Sequence, residues 1–225
     1  MKRMSSEALE LRDRCRSGLG HYLEQALAFI PAEESLRMMD AGCGSGVPTL
    51  VLARNIQGSI LALDPDQLAL NLLQEKVRQQ ALKNRISLLV SEFPPDPEAS
   101  GAEGGFDLIL AEGLFNIIGF SRGIKAAAAL LNKGAWLILH DEWKNHAAKL
   151  DLMRSEDYRL IHHFVLGPEV WYREFYACME TALAQYRESE VIRLMHPLLE
   201  EIRLIREQPE LFHSVYYIMQ YGSGK

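Results

Sequence analysis

Three glycines alternate with small residues at the end of an apolar run, in the stretch Leu36–Pro48. An apolar run, an acid and then alternate glycines predict a buried strand that turns sharply into a helix near Pro48. Because Gly42, Gly44 and Gly46 lack a Cβ atom, the backbone there can adopt positive φ and a ligand can lie directly against the main chain. The stretch therefore predicts a pocket for a nucleoside.

A second chemical feature follows the next predicted strand, residues 59–63, which ends in Asp64. An acid at the tip of the second strand, about 20 residues after the glycine turn, can accept hydrogen bonds from both hydroxyls of a ribose. Pro65 disfavours helical geometry at Asp64 and keeps that residue extended. We therefore predict a ribose contact at Asp64 and Pro65.

Two classes of enzyme share this arrangement, and the glycine spacing separates them. Dinucleotide-dependent enzymes use Gly-x-Gly-x-x-Gly, which requires glycine where this chain has Val47. Here the third glycine, Gly46, comes one place earlier, and Pro48 removes an N–H that a pyrophosphate would use. The stretch Asp40–Gly46, with Asp64 downstream, resembles motif I and the following acidic motif of the class I S-adenosylmethionine (SAM) methyltransferases.

The resemblance implies a SAM site built from four segments. The glycine turn would hold the methionine part of SAM, and Glu92 with Phe93, after the third strand, would bind the adenine. Glu112 with Gly113, after the fourth strand, would lie beneath the methionine part. The structural alternatives are a tight turn without a ligand and a solvated acid at Glu92. The predicted cofactor-binding residues are Asp40, Ala41, Gly42, Cys43, Gly44, Gly46, Asp64, Pro65, Glu92, Phe93, Glu112 and Gly113.

Predicted strands alternate with predicted helices through most of the chain, which predicts parallel βαβ units with a ligand site at the carboxyl ends of the strands. The fold class is therefore α/β, a Rossmann-like, doubly wound, seven-stranded sheet. The chain of 225 residues fits a single domain. Within it we expect N-terminal helices at 5–31, a SAM-binding core at 35–166 and 209–220, and a helical insertion at 167–208, between strands six and seven.

Ionisable residues follow the fifth predicted strand, where His140, Asp141 and Glu142 stand in sequence. Groups at the carboxyl edge of a central strand are candidates for general-base catalysis. The candidate bases are His140, Asp141 and Glu112, in that order. A metal site is the alternative for such a set, but the sequence has no second acidic cluster to complete one, so no metal is expected.

The insertion leaves the sheet at the edge that carries the predicted SAM site, because strand six runs parallel to the others. We therefore expect its helices to form a lid over the methyl acceptor. The alternatives are a homodimer interface and ordinary core packing. The predicted acceptor-lining residues come from this aromatic segment and from the loop after strand four, and they are Phe115, Asn116, Trp171, Tyr172 and Tyr176.

The charge of the chain indicates which classes of partner to expect. A net charge of −6 argues against a nucleic-acid backbone as the main partner. Basic residues near the N-terminus, Arg12, Arg14 and Arg16, alternate with acids and predict a solvated helix face. Because no long apolar span or signal-peptide pattern opens the sequence, we expect a cytoplasmic protein with no membrane partner.

The number and spacing of the cysteines indicate the redox state of the compartment. Cys15, Cys43 and Cys178 are scattered and form no Cys-x-x-Cys pair. This spacing predicts neither a metal site nor a disulfide framework, and it favours a reducing compartment. Cys43 lies inside the glycine turn, where a small filler residue is expected in preference to a reactive thiol.

These observations favour a SAM-dependent methyltransferase that transfers a methyl group to a small-molecule acceptor by in-line displacement. Two alternatives differ in class. One is a protein that binds SAM without catalysis, as a sensor or a scaffold, since the glycines and Asp64 bind cofactor and do not themselves transfer a methyl group. The other is a nicotinamide-dependent oxidoreductase, which the glycine spacing disfavours.

Overall fold

The computed structural model describes residues 5–31, 35–96, 98, 105–186 and 195–222. A seven-stranded sheet forms its centre, in the order β3-β2-β1-β4-β5-β7-β6. The doubly wound α/β fold predicted from the sequence is confirmed. The strands are β1 Leu36–Ala41, β2 Gly58–Asp64, β3 Ile86–Val90, β4 Phe106–Glu112, β5 Leu131–Glu142, β6 Tyr158–Leu166 and β7 Ser214–Tyr221.

Helices connect most of the strands, and Ser17–Leu19 and Pro209–Phe212 form short 3₁₀ turns. A π-helical turn, Tyr172–Tyr176, joins the helices Pro168–Trp171 and Ala177–Leu183. The α-helices are α1 Ser6–Arg16, α2 Gly20–Leu27, α3 Val47–Asn55, α4 Gln67–Gln79, α5 Phe115–Ile118, α6 Phe120–Leu130, α7 His146–Ser155, α8 Pro168–Trp171, α9 Ala177–Leu183 and α10 His196–Glu207.

The strand order determines where a ligand can bind. Strand β1 pairs in parallel with β2 on one side and with β4 on the other. The direction of winding reverses between these neighbours, and such a reversal opens a crevice at the carboxyl ends of the strands. Strand β7 is antiparallel to both β5 and β6, so β6 runs parallel to the central strands.

Two apolar cores lie on opposite faces of the sheet. On one face α2, α3 and α4 pack on β1 and β2, with Leu23, Leu52 and Leu73 almost fully buried. On the other face α6 and α7 pack on β4 and β5. Most strand side chains are apolar because both faces of the sheet are covered.

Strand β5 has an irregular start. It begins at Leu131 and includes Lys133 and Gly134, a Lys-Gly pair of the kind that often ends a helix. The register between β4 and β5 shifts at this point, and Gly134 takes a φ of 84°. A glycine in that conformation fits an irregularity inside a strand as well as a helix end.

The insertion between β6 and β7 packs against the N-terminal helix. Helices α9 and α10 share a third apolar cluster with α1, which includes Leu11, Met179 and Leu198. Residues 187–194 of the predicted insertion lie outside the described residues. None of the helices described is both long and apolar enough to span a bilayer.

The expectation that no cysteine forms a disulfide is wrong. Cys15 on α1 and Cys178 on α9 are disulfide-bonded, with their Cα atoms 5.5 Å apart. Cys43 is free and buried. The bonded cysteines are separated by 163 residues in sequence, and only the packing of α1 on the insertion brings them together.

Candidate functional site

The glycine turn after β1 has the conformation that its sequence predicts. Gly42, Gly44 and Gly46 have φ values of 72°, 52° and 89°. A Cβ atom at Gly46 would lie 2.2 Å from Cδ1 of Leu73, so a larger residue there would force the Leu73 side chain to move. A Cβ atom at Gly44 would meet nothing within 4 Å, which leaves this stretch of backbone open to a ligand.

Asp64, at the end of β2, supports the turn. Its Oδ2 accepts a hydrogen bond of 2.9 Å from the amide of Gly44, and its Oδ1 accepts one of 2.8 Å from the amide of Asp66. Since each carboxylate oxygen carries two lone pairs, both retain capacity for a further donor. Asp64 therefore orders the loop and can still bind a diol. Pro65, beside it, is exposed.

Asp40 lies beneath the turn and is 1% exposed. Its Oδ2 accepts a hydrogen bond of 2.6 Å from Thr49 Oγ1, which ties β1 to α3. Burial raises the pKa of Asp40 to about 7. The neighbouring Ala41 and Cys43 are also buried, and burial raises the pKa of the Cys43 thiol. This environment fits the small-filler interpretation of Cys43.

The predicted adenine residues point in different directions. Glu92 is exposed, whereas Phe93 is 3% exposed and its ring centroid lies 6.1 Å from that of Phe115. Phe93 therefore packs in the core on the α6 side of the sheet. Of this pair, the structure leaves only Glu92 at the surface.

Helix α1 lies directly on the glycine turn. Asp13 accepts a hydrogen bond of 2.6 Å from Ser45 Oγ and forms an ion pair with Lys76 of α4. Lys76 Nζ also donates to the carbonyl oxygen of Ser45, at 2.8 Å. The acidic and basic residues of α1, expected to be a solvated face, thus include side chains that fasten the helix to the site.

Glu112, at the end of β4, binds two side chains. Its Oε2 accepts a hydrogen bond of 2.8 Å from Arg16, and its Oε1 accepts one of 2.6 Å from the hydroxyl of Tyr216. Although burial opposes ionisation, the charge of Arg16 and these hydrogen bonds lower the pKa of Glu112 below its ordinary value. Gly113 follows with φ 68°, and a Cβ there would meet nothing within 4 Å.

His140 of β5 is held between two aromatic rings. Its ring centroid lies 4.2 Å from that of Tyr216 and 5.6 Å from that of Trp171, both nearly parallel to it. Its Nε2 lies 2.9 Å from Ser214 Oγ, which also accepts a hydrogen bond from Trp171 Nε1. Burial lowers the pKa of His140 to about 4, so this imidazole is neutral at pH 7.

A cavity of about 20 Å³ joins these side chains. It lies between α1, α2, α3, the ends of β4 and β5, and α8. That volume is enough for about one water molecule, so a ligand needs the surrounding elements to move apart. Its polar and aromatic lining residues are Arg16, Glu112, His140, Trp171 and Tyr216.

Several predicted residues do not line this cavity. Asp141 is adjacent to His140 on β5 and faces the other side of the sheet, where it pairs with Lys149 at 2.8 Å. Successive strand residues alternate between faces, so these two candidate bases belong to different environments. Among the described residues, no three His, Cys, Asp or Glu side chains form a metal-binding group.

The predicted acceptor-lining residues separate in the same way. Trp171 lines the cavity, whereas Phe115 is fully buried in the core and Asn116 is exposed. The hydroxyl of Tyr172 binds Glu180, and Tyr176 packs in the cluster that α1 shares with the insertion. The structure therefore brings one of the five predicted residues to the cavity.

Sequence reasoning missed three polar residues of the cavity region: Arg16, Ser214 and Tyr216. Arg16 was assigned to a solvated face. Ser214 and Tyr216 lie on β7, and their partners Trp171 and Glu112 are far from them in sequence. The sequence held part of this information. Strand seven was predicted, and residues two apart on a strand, such as Ser214 and Tyr216, lie on the same face.

Comparison with known proteins concerns the glycine turn and the strands around it. Residues 38–134, from β1 to the start of β5, match the family described as "Methyltransferase domain". This match covers 97 of the 225 residues, and these residues carry the methyltransferase domain. The family's cofactor is SAM. A methyltransferase from Geobacter sulfurreducens, solved with S-adenosyl-L-homocysteine (SAH), superposes with a TM-score of 0.68 at 16% identity, covering 89% of this chain and 90% of that one.

Other similar proteins of this fold differ in their chemistry. The [4+2]-cyclase SpnF superposes with a TM-score of 0.71 at 16% identity, covering 94% of this chain and 82% of that one. A demethylmenaquinone methyltransferase of Lactiplantibacillus plantarum is 29% identical over 121 residues, which are 52% of this chain and 50% of that protein. A tRNA1(Val) (adenine(37)-N6)-methyltransferase of Bacteroides fragilis is 30% identical over 81 residues, 36% of this chain and 34% of that protein. The chain thus matches half or less of these curated relatives.

Proposed function

We propose that this methyltransferase transfers a methyl group from SAM to a small-molecule acceptor in the cavity beside His140. The observation that carries the proposal is the position of two features at the carboxyl edge of the sheet. One is the backbone at Gly44 and Gly113, where an added Cβ would meet nothing within 4 Å, and the other is the cavity lined by Glu112 and His140. Gly113 follows Glu112 directly and its amide donates to the carbonyl oxygen of His140, so the two features adjoin.

The residues present fit SAM. Asp64 retains lone pairs for the ribose hydroxyls, and the backbone of Gly44 and Gly113 is open to close approach. Glu112 is a charged acceptor for the ammonium group of the methionine part, and Glu92 is free at the surface for the adenine. When bound, SAM supplies a methyl group already activated by its sulfonium. The protein then has to orient the acceptor and exclude water.

His140 is the candidate general base for an acceptor that must lose a proton. Its lowered pKa keeps the imidazole unprotonated at neutral pH. The hydroxyl oxygen of Ser214 has two lone pairs, so it can accept from Trp171 and from Nε2–H of His140 together. In that tautomer Nδ1 is free to accept the proton of the acceptor. Ser214 and Trp171 would then act by positioning the ring.

The lining of the cavity favours an apolar or aromatic acceptor. Leu19, Leu23 and Leu166 contribute apolar surface around the rings of Trp171 and Tyr216. Helices α1 and α8 cover this position, as a lid over a small molecule would. A net charge of −6 disfavours RNA, the substrate class named for the Bacteroides relative.

The first experiment is calorimetric titration of the purified protein with SAM, SAH and NAD in parallel. We expect micromolar binding of the first two and none of the third. SAM consumption is then followed with panels of small phenols, amines and thiols, and separately with bulk tRNA. Turnover with a small molecule supports the proposal, whereas turnover with tRNA alone overturns the acceptor class.

A matched pair of variants tests the position of the reaction. Trp171→Ala removes a wall of the cavity and should reduce turnover while leaving SAH affinity unchanged. Tyr172→Ala, at the next residue, removes a ring whose hydroxyl binds Glu180 instead, and it should have little effect. Equal losses in the two variants would contradict the assignment of the acceptor site.

One observation favours the non-catalytic alternative. Both oxygens of Glu112 are already bonded, by Arg16 and by Tyr216, and the cavity is small. A protein that only senses SAM would bind it with this arrangement intact. Tight binding of SAH with no turnover across the small-molecule and tRNA panels would favour that function.

A further inference from the structure

Helix α1 connects the glycine turn to the insertion. Asp13 and Arg16 bind the core, at Ser45 and at Glu112. Residues between and beside them bind the insertion: Arg12 pairs with Glu201 of α10 at 2.7 Å, and Cys15 is disulfide-bonded to Cys178. A movement of α1 away from the site therefore requires changes at both sets of contacts.

The Cys15–Cys178 disulfide is adjacent in sequence to the Arg16–Glu112 ion pair. Cys15 immediately precedes Arg16, whose guanidinium forms part of the cavity wall. The disulfide fixes this end of α1 relative to α9. The other contacts to the insertion are noncovalent, and one of them, the Arg12–Glu201 ion pair, is partly exposed. Partly exposed ion pairs contribute little, so the disulfide is the strongest single restraint on α1.

The two cysteines differ in exposure. Cys15 is 2% exposed, whereas Cys178 belongs to an exposed position on α9. A surface groove lined by Arg14, Cys178 and Thr181 leads to it. A thiol reagent can therefore reach Cys178 without unfolding the protein. Thiol–disulfide exchange needs that access to one sulfur.

We propose that the Cys15–Cys178 disulfide is a redox latch that holds α1 over the methionine end of the cofactor site. The reductant is a dithiol. One of its thiolates attacks Sγ of Cys178, the S–S bond breaks, and Cys15 leaves as a thiolate that takes up a proton. The second thiol then attacks the mixed disulfide and releases Cys178. Two electrons and two protons reach the protein, and the dithiol becomes a disulfide.

The latch controls access because of where α1 lies. With the disulfide formed, Arg16 contacts Glu112 and the cavity beside them has a volume of about 20 Å³. Pockets that bind small molecules and cofactors are about 300–1,000 Å³. Reduction leaves α1 held by exchangeable contacts, so the helix can move and admit the ligand. This inference rests on the proposed function, since it assigns a regulation to the SAM site.

The test compares the oxidised protein with the same protein after treatment with dithiothreitol. Thiol labelling after denaturation establishes the redox state. We expect the affinity for SAH to rise about tenfold on reduction, in the range typical of coupling between two sites. We also expect faster amide hydrogen exchange in α1, residues 6–16. Cys15→Ser and Cys178→Ser should match the reduced protein with or without reductant, and Thr181→Ala, in the same groove, should keep the wild-type response.

Each outcome decides the proposal. Equal SAH affinity and equal α1 exchange in the two redox states overturn it, as does labelling of all three cysteines in protein purified without reductant. If neither form binds SAH but α1 exchange responds to reduction, the latch holds and the proposed function fails. Should the cysteine variants not fold, the comparison within the wild-type chain is sufficient.

Discussion

Replacing Arg16 by methionine should leave a buried charge without its partner. Arg16 donates to Glu112 at 2.8 Å, and the Glu112 side chain is only 7% exposed. Breaking a buried ion pair by removing one partner costs about 3–5 kcal/mol. The Arg16 side chain is 24% exposed and Tyr216 still donates to Glu112, so solvent and this hydrogen bond offset part of the cost. We expect a loss of about 3 kcal/mol in the free energy of unfolding at pH 7.

The loss in the free energy of unfolding of Arg16→Met should depend on pH. In the wild-type protein the pKa of Glu112 is lowered, so its contribution to stability is present above the unfolded value of 4.5 and is lost as pH falls. In Arg16→Met, burial acts without the compensating charge and raises this pKa, so the variant loses stability as pH rises. The difference between the two proteins should therefore be greatest near pH 8 and should narrow towards pH 5.

Urea denaturation from pH 5 to pH 8 measures this difference. Arg14→Met is the matched control, because Arg14 is an exposed arginine on the same helix. It makes the same change in charge, and it should alter stability by less than about 0.5 kcal/mol. Equal losses in the two variants, or a loss in Arg16→Met that does not change with pH, would refute the reasoning.

Four further predictions concern the cofactor turn and His140. Gly46→Ala should destabilise the protein by about 1–3 kcal/mol in urea denaturation, because its φ of 89° and the contact with Leu73 both oppose a Cβ. Gly44→Val should leave a folded protein but abolish SAH binding in calorimetry. Asp64→Ala should weaken SAH binding by about 1–3 kcal/mol. Because the pKa of His140 is lowered, the wild-type protein should lose about 3 kcal/mol in the free energy of unfolding as pH falls from 6.5 to about 4. His140→Phe should not show this loss.

Each of these has an outcome that contradicts it. Wild-type stability of Gly46→Ala would mean that the turn relaxes without strain, and SAH bound by Gly44→Val would show that the cofactor does not touch that backbone. Unchanged affinity in Asp64→Ala would remove the ribose assignment. The sign for His140 follows from its lowered pKa, since the unfolded chain takes up the proton first. Parallel pH profiles of His140→Phe and the wild-type protein would contradict it.

The parts of the molecule that the sequence predicts well are those determined locally. Strand β3 forms from the largely apolar run 86–90, and the side chain of Asp66 accepts a hydrogen bond from the amide of Leu68 at the start of α4. The glycine turn follows from backbone sterics, since glycine adopts the positive φ of Gly46 without the steric cost that a side chain adds. Such features need no knowledge of distant partners.

The features that were missed depend on contacts between distant segments. In the sequence, Arg16 is indistinguishable from other arginines of a charged helix. Its role depends on the packing of α1 against the end of β4, which brings it to Glu112, 96 residues away in sequence. Phe93 lies in the loop after β3 and Phe115 begins the short helix α5, but their rings turn into the core. Residue type alone does not give the direction of a side chain in a loop.

The opposite orientations of His140 and Asp141 have a different cause. Alternation along a strand was available from the sequence and separates the two side chains. Once β5 is known to extend to Glu142, only one of the two neighbours can face the cofactor side. The pairing of Asp141 with Lys149 then follows from the position of α7.

The way the insertion joins the sheet makes it exchangeable. Leu166, the last residue of β6, pairs with Ser214, the first residue of β7, so the insertion begins and ends at neighbouring backbone positions. Lengthening a loop whose ends are already fixed costs only about 0.6 kcal/mol for each doubling. A graft at these two positions can thus replace the insertion while the sheet and its glycine turn stay intact. Because α1 contacts both the insertion and the glycine turn, such a graft also removes the contacts that α9 and α10 make with α1, and SAH binding by the graft would measure what those contacts contribute.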